Sequence, residues 1–156
     1  MVIAQWLKPG SVVALEGDLG AGKTTFSQAF ARGLGVREIV SSPTFTIIKE
    51  YDGDQYPFYH MDVYRLSADE ADELGLDDYF YGDGVTLIEW ASRIGELLPE
   101  DRLEITLLRA DEVSSVRSDA AQDGIWDPNK RIIRVVPYGD YYVSGCKRLQ
   151  EQGVWE

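Results

Sequence analysis

The chain has 156 residues, 44% of them hydrophobic, with 15 basic residues against 27 acidic ones and a net charge of −12. That length sets a single domain, able to bury about 70% of the surface its unfolded chain exposes, and that apolar fraction excludes a disordered chain. So acidic a surface repels phosphate backbones and argues against direct nucleic-acid binding, while a lone cysteine, Cys146, excludes an internal disulfide framework and fits a reducing, cytoplasmic setting.

The opening residues Met1 to Pro9 lack the basic stretch and long apolar run of a signal peptide. No segment approaches the ~20 apolar residues that span a bilayer, so no membrane contact is expected. After the turn Lys8-Pro9-Gly10, residues 11–16 carry the apolar run Val12-Val13-Ala14-Leu15 and read as a buried parallel strand. A glycine-rich turn follows. From Thr24, Phe26, Ala29, Phe30 and Leu34 recur at helical spacing, and Gly35 supplies the stop. Residues 44–51 are rich in β-branched and aromatic side chains and predict a strand. Asp52-Gly53 then marks a hairpin turn, with residues 55–61 as the returning strand.

Ser67-Ala68-Asp69-Glu70 matches a capping box, which predicts a short helix. Further strands are expected at 85–88, 103–108 and 131–136. Between the last two, residues 109–129 are polar, acidic and nearly aperiodic, and read as a surface loop. From Asp140 on, Val143, Cys146 and Leu149 at a spacing of three suit a closing helix. Strands alternating with helices, plus one hairpin, imply an α/β fold with a mostly parallel sheet, one P-loop-type domain over residues 1–156.

The segment Gly17-Asp18-Leu19-Gly20-Ala21-Gly22-Lys23-Thr24 fits G-x-x-x-x-G-K-[ST]. Gly17, Gly20 and Gly22 permit backbone conformations that aim N–H groups into an anion-sized concavity, and the following helix points its positive end there. Lys23 reaches toward β- and γ-phosphates, and the Thr24 hydroxyl is a Mg²⁺ ligand type. The motif has the context it needs, an apolar strand before it and an amphipathic helix after it.

Hydrolysis also needs an acidic group for metal and water, and a segment that senses the γ-phosphate. Asp62 follows the strand 58–61 and Glu89 the strand 85–88, and ligands of open α/β sheets gather at carboxyl strand ends, so either acid is a candidate. Ser41-Ser42-Pro43-Thr44-Phe45 is a candidate switch. His60, the single histidine, reads as a packed residue in preference to a general base. Arg65 reads as an ion-pairing residue in preference to a phosphate-charge stabiliser. Any exposed aromatics at 79–81 are candidates for a partner surface. Cys146 reads as a small buried hydrophobe.

Taken together, GDLGAGKTTFSQAFARGLGV (17–36), SSPTFTIIKEY (41–51), HMDVYRL (60–66), LIEWASR (87–93) and LLPEDRLEITL (97–107) resemble the TsaE family, the ATPase component of bacterial tRNA threonylcarbamoyladenosine biosynthesis. The P-loop is shared with many nucleotide hydrolases; the order P-loop, S-P-T-F, D-x-Y-R, E-W is far more specific. The resemblance implies a P-loop NTPase-like three-layer sandwich. It implies that Gly17, Asp18, Leu19, Gly20, Ala21, Gly22, Lys23, Thr24 and Thr25 bind ATP, that Thr24 and Glu89 hold Mg²⁺, that Thr44 lies in the switch-like segment and that Asp62 is needed for turnover. Trp90 would be a structural or nucleotide-side residue. TsaB and TsaD are the implied partners. ATP binding would drive assembly and hydrolysis would reset the complex after transfer to adenosine 37 of tRNA, which this chain would meet only indirectly. Family members carry an N-terminal strand and a longer helix before the K-P-G turn; seven residues precede Lys8 here, so that strand and any adenine contact it makes are not expected. The resemblance implies a basic residue near the nucleotide in the region of Lys130 and Arg131, but neither is counted among the expected site residues. Two other readings stand beside this one, a small-molecule kinase and a non-enzymatic nucleotide-binding module.

Overall fold

The structure, a computed structural model, describes residues 1–114 and 129–155. A six-stranded sheet forms its centre, with β1 (Val12–Gly17), β2 (Ile48–Asp52), β3 (Pro57–Asp62), β4 (Val85–Glu89), β5 (Arg102–Arg109) and β6 (Arg131–Tyr138) in the spatial order β2-β3-β4-β1-β5-β6. The four inner strands pair in parallel, and β2 and β6 close the two edges antiparallel. The expected α/β fold with a mostly parallel sheet and a hairpin is therefore the fold observed.

Alternation along the strands separates the two cores. Val13 and Leu15 of β1, with Phe58 of β3 and Leu87 of β4, pack against α1 (Val2–Gln5), α2 (Lys23–Gly33) and α6 (Asp140–Glu151). Val12 and Ala14, with Met61 and Ile88, pack on the other face against α3 (Ala68–Asp72), α4 (Asp77–Phe80) and the 3₁₀ segment Ala91–Leu97. These are the three layers. β1 and β4 are buried on both faces, which is why they read as unbroken apolar runs.

Helix α2 ends as its sequence predicts. Gly35 adopts φ 85°, its N–H reaches the Arg32 carbonyl at 3.0 Å, and the Val36 N–H reaches that of Ala31 at 3.0 Å, a Schellman closure. Ser67 and Glu70 form the reciprocal capping box at the start of α3. Helix α1 was not read from the sequence; it buries Ile3 and Ala4 in the first core.

Several expectations are corrected. The strand foreseen at 44–51 begins only at Ile48, because the Pro43 carbonyl accepts from Thr46 at 3.1 Å and from Ile47 at 2.7 Å, folding the β-branched run into a turn. The loop foreseen at 109–129 opens with a helical turn, α5 (Ala110–Ser114), whose Asp111 and Glu112 suit a helix N-terminus; residues 115–128 lie outside the described residues. In α6 Cys146 and Leu149 are buried as expected, but the third core position is Tyr142, with Val143 only half-buried. Of the aromatics at 79–81, Phe80 is core and Tyr79 bonds Glu50, which leaves Tyr81 exposed.

Candidate functional site

The carboxyl ends of β1, β3 and β4 meet beside the amino end of α2. Asp62 and Glu89 are register partners across β3–β4, and Glu89 is in turn the register partner of Leu15 on β1, two residues before Gly17. Strand alternation puts Phe58, His60 and Asp62 on one face, and Phe58 belongs to the core beneath α2. Asp62 and Glu89 thus face the helix that begins with Lys23. A cleft of about 260 Å³ results, lined by Leu19, Gly20, Gly22, Lys23, Thr24, Thr25, Ser42, Thr44, Asp62, Glu89 and Trp90.

The loop geometry is that of an anion cradle. Gly22 caps α2 in the left-handed region at φ 105°, and Gly20 has φ 78°; a Cβ at either would meet no atom within 4 Å. Both positions demand the conformational freedom of glycine and keep the concavity open toward the helix amides. Of the other residues expected to bind nucleotide, Gly17 and Asp18 line a neighbouring cleft of about 230 Å³ with Glu16 and Trp90, and Ala21 is buried in the core. The Ala21 carbonyl accepts from Arg131 Nε at 3.3 Å, so the chain after the acidic segment does reach the P-loop.

Lys23 is buried among acids. Its ammonium donates to the Gly17 carbonyl and, at 3.1 Å, to that of Asp18, and lies 4.0 Å from the centroid of the Trp90 ring. Burial pulls its pKa below the ordinary lysine value, against the opposing fields of Glu89, Glu16, Asp62 and Asp18. Trp90 holds φ 60°, rare for a bulky residue, and its ring also packs on Tyr64 at 4.8 Å.

The two acids are held differently. Asp62 Oδ2 accepts from the Thr44 hydroxyl at 3.1 Å and Oδ1 from the Tyr64 N–H at 3.0 Å. Thr44 also shares a 2.6 Å hydrogen bond with Ser42, so the switch-like segment is tied to Asp62. Glu89, 2% exposed, accepts at Oε1 from the Ser27 hydroxyl at 2.9 Å and from His60 Nε2 at 3.3 Å. Sequence reading missed Ser27, although its place one helical turn after Lys23 was a usable signal. Arg65 makes no described ion pair; its guanidinium lies 4.7 Å from the centroid of the Phe45 ring.

The sequence model described as "Threonylcarbamoyl adenosine biosynthesis protein TsaE" matches residues 1–118. The chain belongs to the TsaE family. It is 62% identical over 107 residues to the tRNA threonylcarbamoyladenosine biosynthesis protein TsaE of Bacillus subtilis (strain 168), covering 69% of this chain and 67% of that one. It is 46% identical over 107 residues to the TsaE protein of Treponema pallidum (strain Nichols), covering 68% and 78%. The crystal structure of YdiB from Bacillus subtilis superposes with a TM-score of 0.74 at 46% identity, covering 97% of this chain and 84% of that one. Family membership and a P-loop NTPase-like fold thus rest on both sequence and structure. No helix among the described residues is long and apolar enough to cross a membrane.

Proposed function

We propose that this chain binds ATP with Mg²⁺ in the cleft between the P-loop and the ends of β3 and β4, and hydrolyses it slowly in support of the tRNA threonylcarbamoyladenosine-37 modification. The observation that carries this reading is the convergence of Lys23, Thr24, Asp62 and Glu89 on one cleft beside the amino end of α2. The donor set fits the cation: hydroxyl and carboxylate oxygens suit a hard ion such as Mg²⁺, which takes one or two protein ligands alongside substrate phosphates. Thr24 and Glu89 would hold it, and when bound it would neutralise charge on the phosphate oxygens. The glycine positions leave room for phosphate against the backbone amides, Lys23 brings a positive charge to them, and Asp62 orients the attacking water. Thr44, bonded to Asp62, links that acid to the switch-like segment.

ATP binding drives assembly with TsaB and TsaD, and hydrolysis resets the complex. The net charge of −12 supports indirect contact with tRNA through those partners. The test is ATP hydrolysis by the purified chain, alone and with a TsaB–TsaD pair from the same source. Slow turnover that rises with the pair supports the reading. Fast turnover that ignores the pair, or transfer of phosphate to a metabolite, overturns it.

A further inference from the structure

We propose that Ser27 and His60 are positioning residues for Glu89: they clamp one oxygen of its carboxylate from inside the protein and so aim the other at the nucleotide cleft. This rests on the proposed Mg²⁺–ATP site. Glu89 is all but removed from solvent, and an ionised carboxylate there costs several kcal/mol unless donors compensate. Its two donors come from two facing layers, the P-loop helix and the sheet beneath it. Ser27 sits on α2, fully buried, with its hydroxyl 2.9 Å from Oε1 and 2.8 Å from the Lys23 carbonyl; its single proton goes to one of these acceptors, and the charged carboxylate is the stronger one. His60 sits on β3, also fully buried, and reaches the same Oε1 at 3.3 Å. None of the described contacts engages Oε2, although Glu89 lines the cleft.

The histidine geometry supports a dedicated role. A carboxylate can only accept, so Nε2 carries the ring proton. Nδ1 is buried with no hydrogen-bond partner among the described residues, an arrangement that costs free energy and brings no packing gain over a phenyl or leucyl group. The ring stacks on Phe58 with centroids 5.7 Å apart and planes 19° from parallel, which fixes its orientation. A solely apolar core would be better served by an apolar residue at position 60; what histidine adds is the donor to Glu89. Ser27 couples the same carboxylate to the P-loop helix, because it stands on α2 one turn after Lys23 and its hydroxyl donates to Glu89.

The experiment compares wild type with Ser27→Ala, His60→Leu and His60→Gln. Mn²⁺ affinity in the presence of ADP is read by electron paramagnetic resonance, and kcat and KM for ATP are read in parallel. Orienting partners of metal-binding side chains typically contribute 10–100-fold. Ser27→Ala and His60→Leu should therefore weaken Mn²⁺ binding and lower kcat by about tenfold or more, with KM for ATP nearly unchanged. His60→Gln, which keeps a donor, should recover part of the loss. If a competent wild type is matched by Ser27→Ala and by folded His60 variants in both Mn²⁺ affinity and kcat, the positioning role is wrong. Should His60→Leu not fold, Ser27→Ala and His60→Gln decide the matter by the same readouts. A wild type that neither binds Mn²⁺–ADP nor turns over ATP overturns the proposed function and this inference together.

Discussion

Asp62 and Glu89 stand opposite each other in register on adjacent parallel strands, yet they are anchored to different parts of the molecule. Glu89 is fixed by a buried helix serine and a buried strand histidine. Asp62 is bonded by Thr44, which sits in a turn and shares a hydrogen bond with an exposed serine. The pair therefore joins an acid held from within the core to one hydrogen-bonded to the 41–47 segment. That asymmetry suits a site in which one carboxylate holds a metal and the other depends on whether the switch is closed.

The two acids should differ from Lys23 when substituted. Asp62→Asn and Glu89→Gln are expected to retain ATP binding, measured by calorimetry, and to lower turnover roughly 100-fold, the lower end of what positioned acid–base groups contribute. Normal hydrolysis by both variants would remove them from the site.

Lys23→Ala should weaken nucleotide binding by roughly 10–100-fold while leaving the fold intact. The lysine's charge-assisted contacts to phosphate are worth about 1.5–3 kcal/mol, or roughly 10–100-fold in affinity. The variant also relieves the burial that holds the ammonium below its ordinary pKa, so its melting temperature should not fall. Circular dichroism melts alongside calorimetry check both halves.

Local chemistry made much of this legible from the sequence. The strand, glycine turn and helix around Gly17–Lys23, the Gly35 stop and the capping box at Ser67 are signals carried by a few adjacent residues, and each forms as its sequence predicts. The alternation Phe58, His60, Asp62 is equally local, and it fixes which sheet face the acid occupies. What was lost depends on pairing at a distance. The Ser27–Glu89 bond spans 62 residues and depends on β4 pairing with β1, the strand that leads into the helix carrying Ser27. The strand expected from Thr44 failed for a related reason: β-propensity favoured extension, but the Pro43 turn and the bond to Asp62 took precedence.

Helix α3 has five residues and buries only Ala71, so its N-terminal cap carries much of its stability. Ser67 accepts from the Glu70 N–H at 3.2 Å, and the Ser67 N–H donates to the Glu70 carboxylate at 2.9 Å. Ser67→Ala should cost about 1 kcal/mol, read by urea denaturation. Glu70→Ala should cost less, because its bond lies on the exposed surface.

Tyr142 links helix α6 to the central strand, since its hydroxyl accepts from the Val12 N–H at 2.9 Å. Burial pushes its phenol above the ordinary value of 10.0, opposed by the Val12 and Ser11 hydrogen bonds and aided slightly by Asp101. A raised folded-state pKa means that the native chain holds this proton more tightly than the unfolded one. The resulting stabilisation is complete below about pH 10 and is lost as pH climbs from there through the folded-state pKa. Tyr142→Phe should therefore be less stable than wild type by about 1–2 kcal/mol near neutral pH, where the Val12 N–H loses its acceptor. The gap should hold up to about pH 10 and narrow as pH rises further through the folded-state pKa, because the variant has no phenol to ionise there. Tyr59, Tyr79 and Tyr141, whose pKa values are also raised, are common to both proteins, so the difference between their denaturation curves isolates Tyr142. A gap that stays constant across that range would mean the phenol titrates alike in the folded and unfolded chains.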